Sequence, residues 1–160
     1  MLIRPFRPGD EEALHGVFQS AVHSIASRDY TPEQLEAWAP TASDPELVEQ
    51  WVRKIRSIVP LVVEVGSTIA AYGDLQPTGY IDHVFVSGRF ARRRIGTALM
   101  EHLLFEASTR GIRSLTSDVS MTAQPFFERF GFQVVEYRLV TIRGAQLRNA
   151  RMQRSSSTCT

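Results

Sequence analysis

Cysteine and lysine are almost absent from this chain of 160 residues, which carries one of each. The single cysteine, Cys159, excludes an intrachain disulfide framework and a cysteine-based metal site. Lys54 is the only lysine among 18 lysine and arginine residues, so the positive charge is nearly all arginine. Arginine suits the planar recognition of phosphate groups.

Other absences narrow the class of protein further. No apolar run approaches the roughly 18 residues of a membrane span, and the opening MLIRPFRPGD has no signal-peptide core. We therefore expect a cytoplasmic protein with no membrane partner. The chain contains neither the Gly-Lys-Ser/Thr of a P-loop nor a G-x-G-x-x-G motif. His15, His23 and His102 lack metal-ligand spacing, so we expect no metal.

The length and the hydrophobic periodicity predict one mixed α/β domain over residues 1–152, followed by a disordered tail over 153–160. Asp10 is expected to cap the first helix, and Thr31, Pro32 and Gln34 have the spacing of a capping box at the start of the second. The predicted strands are 2–6, 59–65, 69–75, 80–86, 115–119, 132–135 and 139–142, with 147–152 as a further candidate.

Residues 81–99, IDHVFVSGRFARRRIGTAL, are the most informative part of the chain. An apolar, β-branched run ends at Val86, a short arginine-rich loop follows, and an apolar helical pattern begins at Ile95. A strand that leads into a helix through a tight basic turn points several backbone N–H groups at one spot, at the positive end of the helix dipole. The stretch therefore predicts a phosphate site for a nucleotide-like cofactor.

Within the whole chain, this stretch resembles the acetyl-CoA-binding strand, loop and helix of the GNAT superfamily of N-acetyltransferases. The opening IRPFRPGDEEAL is similar to the superfamily's first strand and helix, and QPFFERFGF (124–132) resembles its short helix beside the cofactor's thiol. The segment 29–35, with Trp38-Ala39-Pro40, is similar to one bacterial subgroup. The resemblance covers residues 1–150. It implies a mostly antiparallel, twisted sheet of six to seven strands flanked by four to five helices.

The superfamily's loop reads Gln/Arg-x-x-Gly-x-Gly/Ala, and two registers fit this chain. The preferred one places Ala91, Arg94 and Gly96 at the motif positions, so that an arginine replaces a glycine. The other reads Arg93-x-x-Gly96-x-Ala98 and shifts the helix by two residues. An arginine at position 94 needs a backbone conformation that a non-glycine residue can hold, and its guanidinium would lie near the phosphates.

The resemblance implies a site for acetyl-CoA as cosubstrate and direct attack by a primary amine of a small molecule or peptide in a ternary complex. The expected cofactor-binding residues are Val84, Phe85, Val86, Arg92, Arg93, Arg94, Ile95, Gly96, Thr97 and Phe127. Phe127 stands where many members carry a tyrosine that protonates the leaving thiolate, and it has no proton to give.

The proton acceptor is expected just upstream of the loop. Strand alternation places Tyr80 and Asp82 on one face and His83 on the other. Tyr80 stands where some members carry a catalytic glutamate, and we favour Asp82 as the base. Asp74 and Asp118 are further candidates.

Two other functions remain open. One is a CoA-binding sensor or partner protein without catalysis, which Phe127 and the altered loop favour. The other is nucleic-acid binding through the arginines near 89–94 and 143–154. A net charge of +1 and the absence of interleaved aromatic and basic residues count against it. The late strands are also candidates for pairing in a homodimer.

Overall fold

The computed structural model describes residues 1–42 and 44–156. These residues form five α-helices, α1 to α5, and eight strands, β1 to β8. The strands are β1 Leu2–Pro5, β2 Leu61–Val65, β3 Thr68–Gly73, β4 Tyr80–Ile81, β5 Val84–Val86, β6 Ser114–Ser120, β7 Gln133–Ile142 and β8 Ala145–Ser155. The helices are α1 Glu11–Ser20, α2 Pro32–Trp38, α3 Pro45–Ile58, α4 Ile95–Thr109 and α5 Gln124–Arg129.

The strands form two four-stranded sheets in the orders β1-β2-β3-β5 and β4-β6-β8-β7. All pairs are antiparallel except β4 with β6. The prediction of a mixed α/β, mostly antiparallel fold with four to five helices is confirmed; in the described residues the strands number eight rather than six to seven, and they divide into two sheets. The predicted strands 132–135 and 139–142 are a single strand, β7, with a bulge between Val134 and Glu136. Residues 153–155 belong to β8 rather than to a tail, and 157–160, with Cys159, lie outside the described residues.

The predicted strand 80–86 is broken at Asp82 and His83. Tyr80 and Ile81 pair parallel with β6, whereas Val84, Phe85 and Val86 pair antiparallel with β3. The backbone N–H groups of Asp82 and His83 both donate to the buried Asp74 Oδ1, at 2.9 and 2.7 Å. Because this carboxylate takes the amides that a strand partner would bond, the chain leaves one sheet for the other at this point.

The helix ends follow local sequence signals with one exception. Thr31 and Gln34 form the predicted capping box, and Asp44 Oδ1 accepts from Glu46 N–H. Asp10 does not cap α1, because its carboxylate instead binds the Arg4 guanidinium at 2.8 Å. Helix α4 ends before Gly111, whose φ of +71° allows Ile112 N–H to reach the carbonyl of Ala107.

Three clusters of buried side chains hold the layers together. One joins α1, α2 and α3 to the first sheet around Leu14, Ile55 and Tyr72. A second packs α4 and α5 against the other sheet, and the third packs α4 against β2 and β3. In the described part of the chain, no helix is long and apolar enough to cross a membrane.

Candidate active site

A cleft of about 750 Å³ opens where β5 and β6 separate. Its walls come from the end of α1 and the turns after it, β5, the loop before α4, and α5. Nine of the ten predicted cofactor-binding residues line it: Val84, Phe85, Val86, Arg92, Arg94, Ile95, Gly96, Thr97 and Phe127. Arg93 is exposed and does not line the cleft; its guanidinium lies 5.5 Å from the ring centre of Phe90.

Backbone N–H groups at the start of α4 form one end of the cleft. Ala98 N–H donates to the carbonyl of Arg94, which is the first bond of the helix. The amides of Ile95, Gly96 and Thr97 precede that bond, and these three residues line the cleft. The N-terminus of this 15-residue helix therefore offers donors and a positive dipole end to an anion.

Arg94 holds a left-handed backbone, with φ 61° and ψ 17°. Arg92, two residues earlier, has φ 61° as well. Both residues line the cleft next to the open amides of α4. The loop thus brings two guanidinium groups to the place where the helix N-terminus already favours an anion.

Gly96 allows α4 to approach β5 closely. A Cβ at this position would lie 3.3 Å from Val86 Cγ2 and 3.4 Å from Phe126 Cε1. These separations are tighter than ordinary van der Waals contact, so a side chain here would push the helix away from the strand.

Strand β5 presents a free backbone edge to the cleft. It is the last strand of its sheet, and its odd-numbered residues bond to β3: Ser87 N–H donates to Ala70, and Asp74 N–H donates to the carbonyl of His83. Because strand residues alternate, the N–H and C=O groups of Val84 and Val86 point away from β3. They are available to an extended chain of amides lying in the cleft.

The position of the family's tyrosine holds a buried phenyl ring. Phe127 is 5% exposed and packs edge-on against Phe132, with 5.0 Å between ring centres. Two residues with hydroxyl groups, Ser120 and Thr122, line the same cleft. Thr122 Oγ1 is buried and has no hydrogen-bond partner among the described residues, so it is free to donate to a group in the cleft.

A second cavity of about 280 Å³ adjoins the first. Trp38, Phe85 and Ser120 line both cavities and mark their junction. Asp82 and His83 line only the second cavity, at the break between β4 and β5. The predicted base therefore lies in the cavity that adjoins the cleft.

Asp82 pairs with the only lysine of the chain. Lys54 Nζ lies 2.6 Å from Asp82 Oδ2, and the Lys54 side chain is about half exposed. Asp82 Oδ1 lies 4.0 Å from His83 Nε2, which is beyond hydrogen-bond distance. One carboxylate oxygen is thus held by Lys54, and the other has no hydrogen bond to the described residues.

His83 is held neutral. Burial lowers its pKa, the nearby Asp82 carboxylate opposes this shift and the Lys54 charge adds to it, and the resulting pKa is about 4. Burial also keeps the phenol of Tyr72 protonated by raising its pKa, and the hydroxyl lies 2.9 Å from His83 Nδ1. We assign the Tyr72 O–H as donor to Nδ1, which places the imidazole proton on Nε2. In that tautomer His83 has no free lone pair for a substrate proton.

Two other predicted proton acceptors, Tyr80 and Asp118, are already engaged in hydrogen bonds and ion pairs. Tyr80 lines neither cavity, and its hydroxyl donates to Asp118 Oδ2 at 3.1 Å. Asp118 also binds Arg151 at 2.7 Å and Arg138 at 3.4 Å. Burial would raise the pKa of Asp118, but the hydrogen bonds from Arg151 and Tyr80 and the charges of Arg151 and Arg138 outweigh it and lower the pKa. Strand alternation grouped Tyr80 with Asp82, and the break between β4 and β5 separates them.

Asp74 is a buried carboxylate that holds the backbone of Asp82 and His83. It is 1% exposed, and burial raises its pKa against the hydrogen bonds from His83 N–H, Gln76 and Asp82 N–H. Its oxygens are engaged by these donors, so it positions Asp82 and His83 rather than facing a substrate. Sequence reasoning missed this role, and also missed Lys54, Ser120 and Thr122, because no local pattern marks them.

Comparisons with known proteins agree with this geometry. Residues 26–152 match the family model described as acetyltransferase (GNAT) domain. The chain is 35% identical over 158 residues to the uncharacterized N-acetyltransferase YafP of Escherichia coli strain K12, covering 94% of this chain and 93% of that protein.

Two solved structures share the fold. One is a GCN5-related N-acetyltransferase from Rhodopseudomonas palustris, also titled aminotransferase, class-II, with a TM-score of 0.89, 28% identity and coverage of 97% of this chain and 95% of that one. The other is the PaiA N-acetyltransferase of Thermoplasma acidophilum, solved in complex with coenzyme A. Its TM-score is 0.71 at 19% identity, and the match covers 97% of this chain and 98% of that one. This chain is a member of the GNAT superfamily of N-acetyltransferases.

Proposed function

We propose that this protein transfers an acetyl group from acetyl-CoA to a primary amine by direct attack within a ternary complex. The observation that carries the proposal is the junction of the two cavities at Trp38, Phe85 and Ser120. A phosphate site and a free strand edge lie on one side of this junction, and an unpaired carboxylate oxygen lies on the other. An amine in the smaller cavity and an acyl group in the larger one would meet there.

The larger cleft suits CoA. Its pyrophosphate would lie on the amides of Ile95, Gly96 and Thr97, flanked by Arg92 and Arg94. The free backbone groups of Val84 and Val86 suit the amides of the pantetheine arm. When bound, acetyl-CoA supplies an activated acetyl thioester.

The chain's own groups provide the remaining chemistry. Asp82 takes the proton from the incoming ammonium through Oδ1, since Lys54 holds Oδ2. An N–H of β5 stabilises the charge that develops on the carbonyl oxygen, a contribution of about 3 kcal/mol for one preorganised donor. Thr122, with its unpartnered hydroxyl, donates a hydrogen bond to the leaving thiolate in place of the missing tyrosine.

Thiol release in the presence of amine panels tests the transfer. Asp82→Asn should lower kcat about 100-fold, because general-base catalysis of this kind contributes at least that much. The KM for acetyl-CoA should stay within about twofold, since Asp82 does not line the larger cleft. Glu101→Gln, which removes an exposed carboxylate on α4, is the matched control and should leave both constants unchanged. An unchanged rate in Asp82→Asn would show that another group is the base.

A CoA-binding sensor or partner protein is the second candidate function, because Phe127 supplies no proton at the thiol end of the cleft. The two functions differ in one result. CoA should raise the melting temperature in both cases, but only the enzyme releases thiol with an amine. If neither CoA nor acetyl-CoA stabilises the chain, both are wrong.

We also propose that a second copy of the chain pairs with β7. This ten-residue strand is at the edge of its sheet. Val135, Tyr137 and Leu139 on it are 60%, 74% and 57% exposed. Long edge strands with exposed apolar side chains are the usual sites of strand addition. If two copies of β7 paired about a twofold axis, the three apolar side chains of each copy would contact those of the other.

A further inference from the structure

We propose that the smaller cavity, lined by Asp82 and His83, takes a small primary amine carried on a flat aromatic body of one or two rings. This inference rests on the proposed acetyl transfer and specifies its acceptor. It depends on the size of the cavity, the aromatic rings around it and the unpartnered polar atoms in its wall.

The size of the cavity limits the acceptor. Its volume is about 280 Å³, which is roughly twice that of the ~150 Å³ protein cavity known to hold benzene. A molecule with one or two rings and a short amine arm fills this space. A polypeptide would insert only its end and leave the rest of its surface without a matching wall.

Six aromatic side chains surround the cavity, and they come from different parts of the chain. They are Phe18, Tyr30, Trp38, Trp51, His83 and Phe85. Neighbouring rings already contact one another: the ring centres of Phe18 and Phe85 are 5.1 Å apart, and those of Tyr30 and Trp38 are 5.6 Å apart. These are the separations at which aromatic pairs attract, so a flat ring in the cavity would extend an existing cluster.

The polar atoms of the wall suit an amine with a second polar group. Trp51 Nε1 and Asn149 Oδ1 are buried without hydrogen-bond partners among the described residues, and both residues line the cavity. An unsatisfied buried donor and acceptor are costly, and a ligand would supply both partners. Asn149 Oδ1 would accept from an N–H, and Trp51 Nε1 would donate to a hydroxyl or carbonyl oxygen.

Charge favours a cationic rather than an anionic acceptor at the junction. Asp82 is paired with Lys54 through Oδ2 but keeps Oδ1 without a hydrogen bond to the described residues, whereas both oxygens of Asp118 are bonded by Arg151, Arg138 and Tyr80. An ammonium near Asp82 would also face the aromatic rings, which attract cations. Arg148, on β8, is the lysine or arginine that lines this cavity, and its charge is outnumbered there by those of Asp82 and Asp118.

Intrinsic fluorescence gives a direct test, because the chain has two tryptophans and both line the cavity. The probes are 2-phenylethylamine, its saturated counterpart 2-cyclohexylethylamine, and 2-phenylethanol, which lacks the charge. We expect 2-phenylethylamine to change the tryptophan emission with an affinity about tenfold higher than that of either control. Equal binding of the cyclohexyl amine, or a tetrapeptide amine as the better thiol-releasing acceptor, would overturn the inference.

Two variants at one position separate the ring from its N–H. Trp51 lines only the smaller cavity, so Trp51→Leu should raise the KM for 2-phenylethylamine about tenfold and leave the KM for acetyl-CoA unchanged. Trp51→Phe keeps an aromatic face and should recover most of that loss, with Trp38 reporting binding in both variants. Equal KM values for 2-phenylethylamine in the two variants would contradict an aromatic contact. Selective binding of 2-phenylethylamine without thiol release would contradict the proposed transfer while supporting this assignment of the cavity.

Discussion

Arg94 combines two properties that usually exclude one another at the same position. Its backbone is left-handed at φ 61°, which costs a non-glycine residue about 1 kcal/mol. The residue lines the cleft next to the open amides of α4. The backbone therefore keeps the turn that a glycine would make, while the guanidinium adds a charge that glycine lacks.

Two substitutions at Arg94 separate these properties. Arg94→Ala keeps the strained backbone without the charge, and Arg94→Gly removes both. Each should raise the KM for acetyl-CoA roughly fivefold to tenfold, because a charge-assisted hydrogen bond at a partly exposed site is lost. Only Arg94→Gly should also raise the melting temperature. Arg93→Ala, outside the cleft, is the control and should leave both values unchanged; a weaker cofactor affinity there would contradict the placement of Arg93.

His83 makes stability depend on pH. Its pKa is about 4 in the folded chain, whereas an unfolded histidine titrates near 6.5. Between these values the unfolded chain binds more protons, so stability is complete above about pH 6.5 and falls as the pH drops towards 4, by up to about 3 kcal/mol. In thermal melts between pH 4 and 7, the melting temperature should depend less steeply on pH in His83→Gln than in the wild type. Glutamine keeps an acceptor for the Tyr72 hydroxyl. An identical slope would show that His83 is protonated in the folded chain.

At the scale of elements, the break between β4 and β5 creates the site. One buried carboxylate, Asp74, holds the amides of Asp82 and His83, and the strands on either side then join different sheets. The separation opens the cleft, leaves the edge of β5 free and turns Asp82 towards the smaller cavity.

Asp74→Ala should therefore affect both folding and turnover. Two buried N–H groups would lose their acceptor, at about 1–3 kcal/mol each, and Asp82 would lose its support. We expect a lower melting temperature together with a lower kcat, and little change in the KM for acetyl-CoA. The control is Gln76→Ala, which removes one donor to Asp74 and leaves both amides bonded. A reduced melting temperature with an unchanged kcat would show that Asp74 stabilises the fold without positioning Asp82.

At the scale of the whole molecule, the two sheets and the helices between them leave one long apolar edge exposed on β7. If two copies pair there, Leu139→Arg should convert a dimer into a monomer, measured as molar mass by light scattering after gel filtration. Two arginines brought together across the pairing would repel each other. Phe105→Arg is the control, because Phe105 is a 68% exposed apolar residue on α4, away from the edge. A monomeric wild-type chain would refute the pairing.

Much of the architecture could be predicted from local signals. The capping box at Thr31 depends on residues within a few positions of each other, and it was confirmed. The cap at Asp44 and the turn at Gly111 are equally local. Asp10 was wrongly predicted to cap α1, because Arg4 and Glu64, which share its ion network, meet only when β1 pairs with β2. Local patterns cannot show such a competing partner.

The sequence by itself determined the mixed α/β class, the strand-loop-helix at 81–99 and the resemblance to acetyltransferases, since each depends on residue types at short, fixed spacings. Only the tertiary structure decided that the strand at 80–86 breaks, that Lys54 pairs with Asp82, that Tyr80 turns to Asp118, and that aromatic rings from several elements surround one cavity. These are contacts between residues distant in the chain. Their geometry exists only after the sheets and helices have packed, because packing alone sets which side chains meet and which polar groups are left without partners.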